Sequence, residues 1–384
     1  MGRSLTAGVA ARERRLLVVA GEASGDHHAA NLLTALSAHG PWAASGVAGP
    51  RMRAAGVKAL VPQEELAVIG FSGILAKLPL LFATRAKLLA EYDRIRPDAV
   101  VLVDYPGFNL RLGSELKRRG ARVFYYIAPQ VWAWHPERAA EMASWVDRLA
   151  VVFPFEESIF RDAGVATTFV GHPLLDDLAP EIPEAELRRD LGLDSSARIL
   201  GLLPGSRTGE LRALARPLLE AAQLVRRQCS DVVPVLAQAH AVSLEGMPAA
   251  LLEGVRVVRG RTRSVQSFAT CCVVASGTAT LETALFGTPL VIVYRVGWLN
   301  HAIAKRVIRL PYIGLPNIVA GREVAPEMLQ GALTPEALAG VVAGWFRDPS
   351  QLDARRADLR IVRERLGGPG ASARAAAALA VLVA

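Results

Sequence analysis

Cysteine is scarce in this chain of 384 residues: there are three, Cys229, Cys271 and Cys272. An odd number without Cys-x-x-Cys spacing argues against a disulfide framework and a structural zinc site, and it fits a reducing compartment. The adjacent pair sits in an apolar run and reads as packing. Aromatic residues are also few, and the aromatic and basic signatures of RNA-binding modules are missing, which argues against nucleic acid as a partner. No stretch approaches the ~20 uninterrupted apolar residues that a spanning helix requires. At the N-terminus, arginines precede LLVVA (Leu16 to Ala20). That run is too short for the core of a signal peptide and is followed by acids, so the expectation is an unexported chain.

Several well-known signatures are missing as well. There is no G-x-x-x-x-G-K-[ST] phosphate loop, and no G-x-G-x-x-G follows Leu16 to Ala20. Gly21-Glu22-Ala23-Ser24-Gly25 has the wrong spacing for a G-x-S-x-G nucleophile elbow. No Asp-x-Asp pair advertises a metal bridging a nucleotide diphosphate. Asp26, His27 and His28 are adjacent, and adjacent side chains on a helix do not converge on one ion. No metal and no cofactor are expected.

What is present is a hydrophobic fraction of 52%, enough for packed interiors, in a chain whose length suits two domains. The formal charge of +8 is spread over many arginines and allows an anionic partner such as a nucleotide or an anionic membrane surface. Short apolar runs alternate with amphipathic, alanine-rich segments. In the first half they are LLVVA, AVVLVD, RVFYYIA and RLAVVF; in the second they are RILGLLPGS, VVPVLAQA, VRVVRG, CCVVASG and PLVIVYR. This alternation predicts α/β architecture: two Rossmann-like parallel-sheet domains facing a cleft, with ligand-binding residues just past the carboxyl ends of strands. The expected divisions are a first domain over 1–175, an acid- and proline-rich linker over 176–196, a second domain over 197–349, and a helical tail over 350–384 that can cross back to the first domain.

One segment breaks the rhythm. LAVIGFSGILAKLPLLFATRAKLLA, from Leu66 to Ala90, is strongly apolar and carries Lys77, Arg85 and Lys87 beside Phe71, Leu81 and Phe82. It reads either as a buried helix pair with solvated cations or as an exposed apolar and basic surface for a membrane or acyl chains.

Two strand-to-helix turns in the second half suit an anion. In ASGTATLE, Gly277 permits close backbone approach, Ser276 and Thr278 supply hydroxyls, and the helix start favours a phosphate. Glu282, one turn on, can accept two hydrogen bonds from ribose hydroxyls. The same pattern also describes an ordinary helix cap with an exposed glutamate. In LLPGSRTGEL, Gly205 and Ser206 form a similar turn, and Arg207 could pair with a diphosphate through its planar fork. In the first half, Glu22, Ser24 and Asp26 occupy a comparable turn, and Asp104 ends an apolar strand where either a general base or a structural cap would sit.

In chain order, the segments AGEASGD, GVAGPRM, EELAVIGF, VDYPGFNL, YYIAPQVWAW, FPFE, FVGHPLLD, LLPGSR, ASGTATLE and LPNIVAGRE resemble the lipid-A-disaccharide synthase family of Gram-negative lipopolysaccharide synthesis. They cover roughly residues 16–325. The resemblance implies a two-domain GT-B glycosyltransferase, peripheral to the cytoplasmic side of the inner membrane. It also implies transfer of 2,3-diacylglucosamine from its UDP conjugate to the 6-hydroxyl of 2,3-diacylglucosamine 1-phosphate. The products would be a β-1,6-linked disaccharide 1-phosphate and UDP, with inversion at the anomeric carbon. The family's essential aspartate maps onto Asp104 as base, with Asp26 and Glu22 as rivals. Arg207, Gly277 and Thr278 would then meet the leaving diphosphate, and Ser276, Glu282 and Asn317 are further candidates for contact with UDP. A homodimer is compatible with this reading. Other readings are a second kind of UDP-sugar enzyme on the same fold, an N-acetylglucosaminyltransferase or an epimerase, and a non-catalytic nucleotide-sugar-binding membrane protein. The chain departs from the family at Tyr105 and Gly107, where a small residue and a second aspartate are frequent, and at Thr270, where an aspartate is common.

Overall fold

The computed structural model describes residues 12–66, 72–133, 136–238, 244, 247–295 and 311–384. The chain divides into two compact units, one of residues up to Asp176 together with Pro369–Ala384, the other Asp177–Gly368.

The first unit is built on seven strands: β1 (Arg14–Ala20), β2 (Trp42–Ala48), β3 (Lys58–Pro62), β4 (Ala99–Val103), β5 (Val123–Tyr126), β6 (Arg148–Val151) and β7 (Thr167–Phe169). They pair in the order β3-β2-β1-β4-β5-β6-β7, each neighbour parallel to the next. Every residue of β4 and β5 is buried, as expected for strands covered by helices on both faces. The second unit holds β8 (Arg198–Leu203), β9 (Val232–Gln238), β10 (Arg256–Arg259), β11 (Cys271–Ala275), β12 (Leu290–Tyr294) and β13 (Glu327–Leu329). Their order is β10-β9-β8-β11-β12-β13, again parallel throughout. The three cysteines are buried as free thiols.

Both sheets reverse direction of winding once, between β1 and β4 in the first and between β8 and β11 in the second. At such a point the chain leaves two neighbouring strands toward opposite faces, which opens a crevice at their carboxyl ends. Register places Ala20 opposite Val103 and Val274 opposite Leu203. The turns after these strands are the four singled out from sequence.

The stretch 176–196 carries the helix Glu184–Leu191, which buries Leu187 and Leu191. The segment Leu66 to Ala90 falls mostly within one helix, Ser72–Ile95, with Pro79 inside it. Leu88, Leu89 and Tyr92 join the core of the first unit, whereas Leu78 and Phe82 are exposed, Phe82 to 60%. Arg85 pairs with Glu115, and the Lys87 ammonium donates to the Leu60 carbonyl. Phe71 and the side chain of Lys77 lie outside the described residues.

The C-terminal helix Ala371–Leu382 packs on the helix Ala23–Leu36. Its seam is small: Ala371, Ala375, Ala376 and Leu379 are fully buried, which lets the backbones approach closely. The helix start is held by Asp176, whose carboxylate accepts from the Gly370, Ala371 and Ser372 amides at 2.6, 3.0 and 2.9 Å. These bonds outweigh partial burial and keep the Asp176 carboxyl below its ordinary range. Arg374 adds a bond from Nε to the Val170 carbonyl at 2.7 Å.

Asp176→Ala removes a capping carboxylate and is expected to lower unfolding stability by about 1–2 kcal/mol, measurable by urea titration. A carboxyl whose folded pKa is depressed stabilises above its unfolded value and loses that contribution as pH falls through the folded one. The gap between variant and parent therefore shrinks on acidification below the ordinary carboxylate range.

Candidate functional site

In the second unit the two phosphate-suited turns meet. A cavity of about 390 Å³ is lined by Gly205, Ser206 and Arg207 after β8, by Ser276, Gly277 and Thr278 after β11, and by Glu282. Glu210 and Thr262 line it as well. Seven of the eight residues proposed from sequence for the donor end are thus brought together. Gly277 has φ +150, a region closed to residues with a Cβ, and it precedes the helix Thr278–Leu285. The amides at that helix start carry partial positive charge toward the cavity.

Two charged pairs meet this cavity, one with both members in its lining and the other through Glu282 alone, and they differ in kind. The Arg207 guanidinium is 83% exposed and pairs with Glu210 at 3.0 Å. The other Glu210 oxygen accepts from the Ser206 and Arg207 amides at 3.1 and 3.3 Å, capping the helix Thr208–Gln228. Glu282 is more enclosed: its Oε1 accepts from Nε and Nη2 of Arg263 at 3.2 and 3.1 Å. Neither Glu210 nor Arg263 was singled out from sequence. Glu210 stands three residues after Arg207, the spacing of a capping box, but the cap is an arginine and not the serine or threonine that marks the box in sequence. Arg263 follows the turn after β10, a run that ends in charged residues and offers no such signal.

Asn317 is placed elsewhere. It is fully buried and does not line the cavity. Its Nδ2 donates to the Ala325 carbonyl at 2.7 Å and to Glu327 at 2.8 Å, while its Oδ1 accepts from the Val324 and Ala325 amides at 2.7 and 2.9 Å. All of its hydrogen-bonding capacity goes to the chain that leads into β13. Glu327 in turn accepts from the Ile313 and Gly314 amides at 3.0 and 2.9 Å, and the Ser276 hydroxyl faces the Ile313 carbonyl at 3.4 Å. Asn317 thus supports, through Glu327, the loop whose Ile313 carbonyl accepts from Ser276.

In the first unit Asp104 stands just past β4, at the switch point. Both Asp104 and Tyr105 have positive φ, 47° and 52°, a conformation that costs non-glycine residues about 1–3 kcal/mol each. The surroundings hold it in place. The Asp104 amide donates to the Tyr126 carbonyl at 2.9 Å, and its own carbonyl accepts from Tyr125 Oη at 2.8 Å and Asn109 Nδ2 at 2.7 Å. Gly21, at the end of β1, leaves room for the Tyr105 ring, which a Cβ there would strike. Burial pushes the Asp104 carboxyl up to about 6; the negative charge of Glu22 adds to the rise and a bond from the Tyr105 amide opposes it.

The rival acids have other surroundings. Asp26 is buried, and its carboxylate accepts from the Gly49, Arg51 and Met52 amides at 2.7, 2.9 and 3.1 Å. That is a cap for the short helix Pro50–Ala54. Glu22 and Ser24 are exposed at the start of the helix Ala23–Leu36. A further buried acid, Glu156, lies close enough to Asp104 to feel its charge; burial raises it to about 7, against bonds from Trp132 and from the Phe153 and Val152 amides. Among the described residues, no group of three His, Cys, Asp or Glu could hold a metal ion.

A family model described as lipid-A-disaccharide synthetase matches residues 16–379. A lipid-A-disaccharide synthase from Geobacter metallireducens is 41% identical over 370 residues, 95% of this chain and 96% of that one. One from Thiobacillus denitrificans is 44% identical over 370 residues, 94% and 98% of the two chains. Among solved structures, a UDP-glucosyltransferase from Polygonum tinctorium matches with TM-score 0.65 at 14% identity, covering 97% of this chain and 99% of its own. A UDP-GlcNAc 2-epimerase from Neisseria meningitidis bound to UDP-GlcNAc matches at 0.59 and 11% identity, covering 93% and 97%. At such identities the likeness concerns the fold alone, and that fold is GT-B. The chain belongs to the lipid-A-disaccharide synthase family.

Proposed function

We propose that the chain transfers 2,3-diacylglucosamine from its UDP conjugate to the 6-hydroxyl of 2,3-diacylglucosamine 1-phosphate, forming a β-1,6 disaccharide 1-phosphate and UDP. The observation that carries this reading is the single cavity in which both phosphate-suited turns converge with Arg207 and Glu282. It fits a nucleoside diphosphate: the two turns and Arg207 suit the diphosphate, and the Glu282 carboxylate suits the ribose hydroxyls.

In this reading the reaction is one displacement. The acceptor oxygen attacks the anomeric carbon as its proton passes to the Asp104 carboxylate, and the bond to the β-phosphate oxygen breaks with its electron pair leaving on UDP. A free alcohol is a poor nucleophile, so the base must be ionised yet basic, and a carboxyl raised to about 6 meets both needs near neutrality. Charge growing on UDP is met by Arg207, which exchanges its pairing with Glu210 for the diphosphate, and by the amides at Gly277 and Thr278. Tyr125 and Asn109 serve the reaction by holding the Asp104 backbone in its strained conformation.

We further infer that the protein sits on the inner membrane surface. Leu78, Leu81, Phe82, Arg85, Phe108 and Arg111 line a shallow apolar and basic recess on the helix that follows Asp104 and the helix beside it. Exposed Phe82 with arginines at its border suits acyl chains under anionic headgroups. Among the described residues no helix is long and apolar enough to cross a membrane.

The direct test is incubation with both diacylated substrates and mass analysis of the lipid product; turnover of plain UDP-N-acetylglucosamine in place of the diacylated donor would instead favour an epimerase or a soluble-donor transferase. Asp104→Asn is expected to lower kcat by about 10²–10⁴-fold. In the parent, kcat/KM should fall about tenfold per pH unit below about 6. Removing the negative charge of Glu22 lowers the Asp104 pKa, so Glu22→Gln should move that acid limb to lower pH. Phe82→Ser should weaken sedimentation with anionic vesicles by about tenfold, the value of one large apolar side chain.

A further inference from the structure

The Glu282 carboxylate is held asymmetrically. Oε1 accepts both bonds from Arg263, from Nε at 3.2 Å and from Nη2 at 3.1 Å. Among the described residues, Oε2 accepts none, and the side chain lines the cavity. Arg263 is itself fixed from several sides. Its Nη1 donates to the Asp177 carbonyl at 3.2 Å, and its amide donates to Glu181 at 3.0 Å. The other Glu181 oxygen accepts from the Ser264 amide at 2.7 Å and hydroxyl at 2.8 Å. The short helix Thr262–Phe268 that carries Arg263 is tied to the helix of Glu282 by fully buried Gln266, which donates to the Ala279 carbonyl at 2.9 Å and to Thr283 at 3.0 Å.

A glutamate has three rotatable bonds and, left alone on a helix, samples several positions of its carboxylate. A guanidinium whose two N–H groups converge on one oxygen fixes the place of that oxygen and so limits how far the carboxylate can move. Here the guanidinium takes one oxygen and leaves the other without a donor among the described residues, on a side chain that lines the cavity. We propose that Arg263 is a positioning residue that sets Glu282 for the ribose of the nucleotide, so that recognition of the sugar hydroxyls depends on a residue that does not itself touch them. This rests on the reading of the cavity as a UDP site with its ribose at Glu282.

The test is titration of the full-length protein with UDP and with 2′,3′-dideoxy-UDP, which lacks the hydroxyls in question. The parent should prefer UDP by about tenfold or more, the worth of a hydrogen bond to a charged group. Glu282→Gln and Arg263→Gln should each bring the ratio to within about twofold of one, and the double variant should do no more than either alone. Arg263→Lys, with a single ammonium in place of the fork, should fall between. A parental ratio in Arg263→Gln while Glu282→Gln loses it, or in Arg263→Lys should the glutamine variant not fold, overturns the role of Arg263 and leaves the ribose site standing. Equal binding of the two nucleotides by the parent overturns both.

Discussion

The single reversal of strand order in each sheet is the constraint on which the site depends. A parallel sheet presents its strand carboxyl ends along one edge, and only where the order reverses do the following helices part and leave that edge open. In the first unit this point lies between β1 and β4, which deliver Gly21 and Asp104; in the second it lies between β8 and β11, which deliver Gly205 and Gly277. The sequence needs no long motif to build these sites. Short apolar strands followed by a glycine or an acid suffice, because topology places the four turns.

Within that frame the first unit spends stability on one side chain. Two consecutive non-glycine residues in the left-handed region and a carboxyl buried enough to sit near 6 are each unfavourable. The compensation is visible: fully buried Tyr125 and Asn109 both bond the Asp104 carbonyl, and fully buried β4 and β5 anchor the strand end. Asp26 is the opposite case. Three backbone amides occupy its carboxylate as a helix cap. Two acids at neighbouring strand ends therefore have opposite fates, decided by whether backbone donors or apolar burial surround them.

Much of the fold was legible because the central strands are runs of Leu, Val, Ile and Tyr. The strands not read from pattern have physical reasons for their silence. WAASGVA in β2 is mostly small residues of low β propensity, β7 and β13 have three residues each, and all of β3, β7 and β13 lie at sheet edges, where one side needs no covering. Most of the cavity lining was legible as two turns of the same kind, Gly205-Ser206-Arg207 and Ser276-Gly277-Thr278, although each alone also fits an ordinary helix cap. Asn317 was placed from family resemblance alone, and its burial with four hydrogen bonds to three residues could not be read locally, because those residues lie seven to ten positions further on. Arg263 was silent for a related reason: its partners, Asp177, Glu181 and Glu282, come together only through the packing of the helix that carries it.

The two ion pairs at the cavity show how such a site can be both ready and exchangeable. An exposed pair such as Arg207–Glu210 contributes about 0–1 kcal/mol, because water competes for both partners. A diphosphate, doubly acceptor and more highly charged, can replace Glu210 at little cost, while Glu210 keeps its bonds to the Ser206 and Arg207 amides and the helix remains capped. The Arg263–Glu282 pair is largely withdrawn from solvent, with 28% and 16% of the side chains exposed. Removing one partner of a pair so enclosed leaves the other charge without compensation, which costs more than the pair itself contributes. The exposed pair is the cheaper of the two to break and the enclosed pair the costlier, and the Oε2 of Glu282 accepts no bond among the described residues.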